Sequence, residues 1–196
     1  MTHLFTLSML SMFVSLVFSL CLATPAQAQA KAESPYWRDQ RGQPVAETES
    51  MKSMNDFAGA VIVTSDEDWQ AKWNTPPETK PNFNRAGIVP YGKRIFLLAF
   101  FSNAAVDATG RINVRCDVTL TDPLGKITLT QRNLSCHTGQ LGGSRYLLRL
   151  SEVVIGFSGD PGDPPGIWTF DVTLRDEVRG VALPLRARFE LREKGQ

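Results

Sequence analysis

Three stretches of the chain place apolar residues at every second position. Residues 112–120, 168–174 and 181–191 do so without interruption over five, four and six apolar positions. Because successive side chains of a β-strand point to opposite faces of a sheet, this spacing predicts strands that bury one face. The alternation excludes a helical bundle over these parts of the chain and constrains the fold more than any other feature.

Shorter apolar segments between the alternating stretches add further strand candidates, at residues 60–63, 95–101, 127–129, 146–150 and 153–157. Turn-forming residues separate these segments roughly every 8–12 positions. No helical pattern of about 10–15 residues lies between the strands, as a parallel sheet would require. The sequence therefore predicts an all-β protein, folded as an antiparallel sandwich of two sheets.

One short helix is expected near the start of the sandwich. Ser65 can cap its first turn, and the acidic residues at 66–68 suit the positive end of a helix dipole. Trp69 and Trp73 are four residues apart and so share one face. The pair could stack on a sugar or a base, or it could pin the helix to the sheet. The second interpretation is favoured because large aromatic side chains usually pack into a core.

The N-terminal residues have the composition of an export signal. Residues 4–22 contain no charged side chain, Pro25 ends this run, and small residues precede candidate cleavage sites after Ala28 and Ala30. We predict a signal peptide over residues 1–28, a periplasmic or secreted location, and no membrane insertion after cleavage. An uncleaved membrane anchor is the alternative, because the run could nearly span a bilayer and no Lys or Arg precedes it.

Two further segments follow the predicted signal peptide. Residues 29–58 show neither the period of a strand nor that of a helix, which predicts a flexible leader, docked at Tyr36 and Trp37 if it is fixed anywhere. The sandwich domain is then expected over residues 59–192.

Removal of the signal peptide leaves two cysteines, Cys116 and Cys136. In an oxidising compartment two thiols in one small domain usually pair, so we predict a disulfide that contributes about 3 kcal/mol. The alternation places Cys116 on the buried face of its strand, which supports a structural role. The alternative, a redox or nucleophilic cysteine, is disfavoured because the spacing is far from C-x-x-C.

The C-terminal residues resemble a known class of domain. Residues 165–172, with Asp176 and Gly180, are similar to the closing hairpin of bacterial immunoglobulin-like domains. More broadly, residues 60–191 resemble a family of uncharacterised secreted proteobacterial proteins, through the segments 68–69, 72–76, 100–103, 116–118 and 179–185. This resemblance implies an immunoglobulin-like sandwich in the periplasm, and it transfers no catalytic residue.

A search for catalytic chemistry yields little. A hydrolase triad needs a histidine, and the candidate after the signal peptide is His137, which directly follows the cysteine predicted to be oxidised. The near-balance of 21 basic and 20 acidic residues gives no field that would attract nucleic acid. We therefore expect no enzyme, no metal, no cofactor and no nucleic-acid partner.

Arginine is twice as frequent as lysine, with 14 Arg and 7 Lys, and several arginines occupy regular positions along the predicted strands. The alternation places Arg115, Arg186, Arg188 and Arg192 on outward positions of strands, which makes them the candidate binding face. Guanidinium groups recognise carboxylates and phosphates. The alternative is an ordinary solvated face with ion pairs to Asp117, Asp171 and Glu190, which the balanced net charge favours.

These observations predict a non-enzymatic binding or structural module, whose partner is an envelope or periplasmic protein or an anionic envelope polymer. A subunit or chaperone of a surface assembly that acts by strand pairing is the first alternative, suggested by the long strand at 181–191. A hydrolase or metal-dependent enzyme is the second.

Overall fold

The computed structural model describes residues 33–39, 41–76 and 81–193. These residues belong to one unit, Lys31–Gln196. The predicted signal peptide and its candidate cleavage sites lie outside the described residues.

The described chain forms twelve strands and one helix, in the order β1 Glu33–Arg38, β2 Pro44–Ala46, β3 Met51–Met54, β4 Phe57–Thr64, α1 Trp69–Trp73, β5 Ile88–Pro90, β6 Arg94–Ser102, β7 Arg111–Thr121, β8 Ile127–Gln140, β9 Arg149–Leu150, β10 Ile155–Ser158, β11 Gly166–Asp176 and β12 Val181–Arg192. The three stretches with unbroken alternation became β7, β11 and β12, whose buried and accessible residues alternate as predicted.

Two five-stranded sheets pack face to face. The front sheet has the order β10-β6-β4-β3, with β9 also paired to β6, and the back sheet has the order β5-β12-β11-β7-β8. All strand pairs are antiparallel except β5 with β12, and β1 and β2 form a separate two-stranded ribbon. The predicted fold class, an antiparallel immunoglobulin-like sandwich with one short helix, is confirmed.

The inner faces of both sheets form one apolar core. Its largest members that are fully buried include Trp168, Phe57, Phe101, Phe170 and Phe189. Phe157 closes the core at the end near β10, with its ring centroid 5.0 Å from that of Trp168. Because each sheet buries its inner face against the other, apolar residues occupy every second position of β7, β11 and β12.

Helix α1 lies against the outer face of the front sheet. Trp69 packs on Phe96 and Trp73 on Phe100, with ring centroids 6.2 Å and 5.4 Å apart. The interpretation of the Trp pair as a pin for the helix is therefore confirmed. Across the described residues, no helix is both long and apolar enough to span a bilayer.

The predicted disulfide between Cys116 and Cys136 is present, with 5.9 Å between the two Cα atoms. Both residues are buried. The bond joins the neighbouring strands β7 and β8 of one sheet, whereas the disulfide of antibody domains joins two sheets.

The prediction of a flexible leader over residues 29–58 was wrong in two places: β1 and β2 pair as a ribbon that docks through Tyr36, and the C-terminal end of the segment joins the sandwich. Met51–Met54 pairs with the start of β4 as a hairpin, so the sandwich begins before residue 59. Asn55 and Asp56, at the turn, have φ values of 46° and 66°, a conformation that these two residues tolerate better than most. Residues 51–54 show no clear periodicity in the sequence because they form a strand only through their pairing with β4.

Two other local predictions need correction. Helix α1 begins after Asp68 without a side-chain cap, and Ser65 does not cap it. The acidic residue Asp66 is instead turned inward and accepts hydrogen bonds from Asn84. Of the strand expected at 146–150, only Arg149–Leu150 forms. The preceding residues wrap around the Arg149 side chain, which donates hydrogen bonds to backbone carbonyls there.

Candidate functional site

The structure places the four candidate arginines on the outer face of the back sheet, but it does not bring them together. Arg186, Arg188 and Arg192 follow one another along β12. Arg115 lies on β7, two strands away, where it is in register with Arg175 of β11. The residues that pair across the sheet with Arg115 and those that pair with Arg186 are separated by one further set of outward-facing paired residues, which contains Thr173. Arg186 and Arg188 are thus the pair that can act jointly.

Both of these arginines have carboxylate partners. Arg186 donates from Nε to Oδ1 of Asp171 over 2.6 Å, and Arg188 donates to Glu49. The hydrogen bond from Arg188 holds the pKa of Glu49 below its usual range, and the charges of Arg186 and Lys52 act in the same direction. The bond to Asp171 raises the pKa of Arg186. The expected ion pair of Asp171 is present, while Asp117 pairs with Arg175.

A groove opens beside these two arginines, along the edge of β12. Its volume is about 550 Å³. We call it the arginine groove, and its lining residues are Thr48, Glu49, Ser50, Val61, Ile62, Val63, Arg85, Ala86, Gly87, Arg186, Ala187 and Arg188. Val61, Val63 and Ala187 belong to the core, so the groove has an apolar floor and a charged rim.

Two backbone hydrogen bonds define the ends of the arginine groove. The N–H of Arg186 donates to the carbonyl of Glu49 over 2.7 Å, and the N–H of Glu190 donates to the carbonyl of Gly87 over 2.9 Å. Between these two hydrogen bonds the edge of β12 faces the groove. The groove therefore lies where the front and back sheets separate.

Arg85 distinguishes this groove from an ordinary solvated sheet face. Its side chain is exposed and, among the described residues, meets no carboxylate, whereas Arg186 and Arg188 each have one. Its backbone is fixed because it forms a bridge with Thr64 and because the next residue, Ala86, donates to the carbonyl of Val63 over 2.9 Å. Sequence reasoning missed Arg85 because it lies in a segment without periodicity.

The strand-pairing alternative rested on the long strand β12. One edge of β12 is paired with β11 along its length. The other is paired with β5 over residues 190–192 and is hydrogen-bonded to the carbonyl of Glu49 at Arg186, and between these contacts it faces the arginine groove. Among the described strands, β8 is the long one at a sheet edge, and its pairing with β7 has three irregularities in register. Bulges of this kind hinder pairing with a further strand.

His137 meets an acid but no nucleophile in the described part of the chain. Its Nδ1 lies 3.1 Å from Oε1 of Glu152, and the thiol of Cys136 is consumed by the disulfide. The hydroxyl of Ser135 shares its hydrogen bond with Thr138. No group of three or more His, Cys, Asp or Glu side chains in the described ranges has the geometry of a metal site.

Comparison with known proteins identifies no family. No protein-family model and no curated protein matches the chain. Similar solved structures include a family 123 glycoside hydrolase from Clostridium perfringens, at 9% identity and a TM-score of 0.41, over 69% of this chain and 28% of that chain. The CARDB domain of the PF1109 protein from Pyrococcus furiosus, in complex with di-metal ions, has 10% identity and a TM-score of 0.38, over 76% of this chain and 99% of that chain.

A third structure is the alkylpurine DNA glycosylase AlkC from Pseudomonas fluorescens bound to DNA with an abasic site analog, at 17% identity and a TM-score of 0.35, over 54% of this chain. The chain spans 28% of the length of the glycoside hydrolase and of the DNA glycosylase. At these TM-scores the similarities carry no inference about ligand or activity.

Proposed function

We propose that this protein is a non-enzymatic binding module that acts outside the cytoplasm and recognises an anionic group through the arginine groove. The observation that carries the proposal is Arg85, a guanidinium without a carboxylate partner in the described chain, beside the paired Arg186 and Arg188. A carboxylate or phosphate can therefore bind Arg85 without displacing an internal ion pair. The partner is an envelope or periplasmic protein or an anionic envelope polymer.

The apolar floor supports binding of a larger partner than a free ion. Val61, Val63 and Ala187 lie beneath the charged rim, so an anionic group that enters the groove brings its carbon skeleton against the core. Shielding from water strengthens the interaction between opposite charges. This combination favours a side chain or polymer unit over inorganic anions.

The extracytoplasmic location is part of the proposal. The disulfide supports it, because such bonds persist in oxidising compartments and are rare in the cytosol. The apolar run at residues 4–22 supports it as well. Membership of the secreted proteobacterial family that the sequence resembles is proposed on the same grounds.

The test measures the binding of two defined polyanions, polyphosphate and poly-L-glutamate, to the chain without residues 1–28. Calorimetry on the wild-type protein should detect binding of at least one of them. Arg85→Gln should weaken it about tenfold, because a charge-assisted hydrogen bond is lost. Arg132→Gln is the matched control, since Arg132 is exposed on β8 at the far edge of the back sheet. Equal effects of the two variants, or no binding of either polymer, would overturn the proposal.

A further inference from the structure

A second cleft lies between the β1–β2 ribbon and the outer face of the front sheet. Its volume is about 880 Å³. We call it the ribbon cleft, and its lining residues are Tyr36, Trp37, Arg38, Asp39, Arg41, Gly42, Ala58, Ser102, Tyr146 and Leu148. It shares no residue with the arginine groove. Its walls combine three aromatic rings with two guanidinium groups.

The ribbon is fastened to the sandwich at Tyr36. The Tyr36 hydroxyl donates a hydrogen bond to Oδ1 of Asp56 over 2.6 Å. Nδ2 of Asn103 donates to the same hydroxyl over 3.4 Å and to the carbonyl of Asp56 over 2.7 Å. Asn103 itself is buried, at 4% exposure. One wall of the cleft is therefore held in place by hydrogen bonds to the β3–β4 turn and to the residue that follows β6.

The opposite wall is lined by Tyr146 and Leu148, which belong to a run of exposed apolar side chains. Tyr146, Leu147 and Leu148 are 66%, 56% and 44% exposed. Their backbone is nevertheless fixed, because Ser102 donates to the carbonyl of Tyr146 over 3.0 Å and Arg149 donates to that of Leu147 over 3.0 Å. Contiguous apolar side chains that stay exposed to solvent on a fixed backbone mark an interaction surface.

The charge of the ribbon cleft is positive. Arg38 donates only to the carbonyl of Gly42, and the side chain of Arg41 has no partner in the described parts of the chain. The acid between them, Asp39, is engaged by its own turn, because its Oδ1 accepts the N–H groups of Arg41 and Gln43 at 2.8 Å and 2.9 Å. Two guanidiniums thus remain available to an external carboxylate.

We propose that the ribbon cleft docks an acidic segment of a partner protein. A bulky apolar side chain of that segment packs against Trp37, Tyr146 and Leu148, and flanking carboxylates bind Arg38 and Arg41. Two observations favour a protein over other anionic partners. The surface is rich in Trp, Tyr and Arg, the residues that dominate protein–protein hot spots. The run at 146–148 also presents apolar area that a purely ionic partner would leave in water.

The experiment uses arrayed synthetic peptides of about eight residues, each with a central Phe or Leu flanked by random residues. The fluorescently labelled chain without residues 1–28 is the probe. We expect the bound peptides to be enriched in Glu and Asp. Replacement of the central side chain by Ala, or of the acids by Lys, should remove binding.

Variants then locate the site. Arg38→Gln with Arg41→Gln should weaken the best peptide about tenfold, and Tyr146→Ser by a similar factor. Arg132→Gln, at an exposed position of β8 outside both sites, should leave peptide binding unchanged. Arg85→Gln should weaken the best peptide less than the double variant does, which separates this site from the arginine groove. Enrichment of basic peptides, absence of any enrichment, or binding that survives both the double Arg variant and Tyr146→Ser would overturn the proposal.

Discussion

At the scale of single residues, Arg179 joins three loops at one end of the sandwich. Its Nε lies 3.3 Å from Oδ2 of Asp176, a fully buried carboxylate at the end of β11. Its two Nη groups donate to the carbonyls of Asn55 and Asn103, each over 2.7 Å. One guanidinium therefore satisfies groups from the β3–β4 turn, the segment after β6 and the β11–β12 hairpin.

Replacement of Arg179 by Ala is expected to lower the free energy of unfolding by roughly 3 kcal/mol, because it leaves the buried Asp176 without its cation. Urea denaturation followed by tryptophan fluorescence measures the effect. Arg111→Ala, on an exposed position of β7, is the control and should change stability by less than about 0.5 kcal/mol. Similar midpoints for the two variants would contradict the role of Arg179.

Asp66 makes the free energy of unfolding depend on pH. Burial alone would raise the pKa of Asp66, but hydrogen bonds from Lys72 and Asn84 outweigh it and hold the pKa at about 2, below the ordinary 3.8. A carboxyl group whose pKa is lowered by folding stabilises the fold at pH values above its unfolded pKa. This contribution is lost as the pH falls through the folded pKa.

We therefore expect the contribution of Asp66, roughly 2 kcal/mol, to be complete above about pH 5 and to vanish near pH 2. Other carboxyl groups titrate over the same range, so the useful quantity is the difference in unfolding free energy between wild type and Asp66→Asn. That difference should shrink as the pH is lowered. A difference that is constant across the range would show that the Asp66 carboxylate is not selectively stabilised.

At the scale of elements, β4 approaches the back sheet unusually closely. A Cβ atom added at Gly59 would lie 2.8 Å from Cδ1 of Leu174 and 2.9 Å from Cδ2 of Leu183, on β11 and β12. Gly59→Ala is therefore expected to destabilise the fold by about 1–3 kcal/mol through overpacking. Thermal unfolding measures this. Gly139→Ala on β8, where the added Cβ meets nothing within 4 Å, is the matched control. Equal melting temperatures for the two variants would contradict the close approach.

The elements differ in how far the sequence predicts them. β7, β11 and β12 are predictable because each buries one face along its whole length, which imposes a period of two on the sequence. β3 is not, because it exists through its pairing with β4. The run 146–148 is apolar without being buried, so a rule based on hydrophobicity assigns it to a strand that does not form.

The same contrast applies to the candidate site. Arg186 and Arg188 could be assigned to an outer face because they alternate with buried residues of β12. Glu49 and Arg85 come from irregular segments, and their place beside β12 depends on long-range contacts such as the bond between the Arg186 N–H and the Glu49 carbonyl. The chemistry of single positions was therefore predictable, while the groove that they form together was not.

At the scale of the whole molecule, the two sheets are joined at both lateral edges. On one side the N–H of Arg186 in β12 donates to the carbonyl of Glu49, close to β3, and the N–H of Ala86, just before β5, donates to the carbonyl of Val63 in β4. On the other side the carbonyl of Cys136 in β8 accepts the N–H of Glu152, which follows the front-sheet strand β9, over 2.8 Å. The disulfide thus fastens β8 at the point where the back sheet meets the front sheet.

Reduction of this disulfide should lower the free energy of unfolding by about 3 kcal/mol, because a link across 20 residues restricts the unfolded chain. The midpoint of urea unfolding should fall when the oxidised protein is reduced, and a Cys116→Ala, Cys136→Ala variant should not respond to the reductant. Comparison of the reduced protein with this variant separates the covalent link from the packing of the buried side chains. An unfolding midpoint that does not change on reduction would contradict the stabilising role of the bond. Two free thiols in the protein recovered from cells that express the full chain would contradict the proposed location, since an oxidising compartment would have closed the bond.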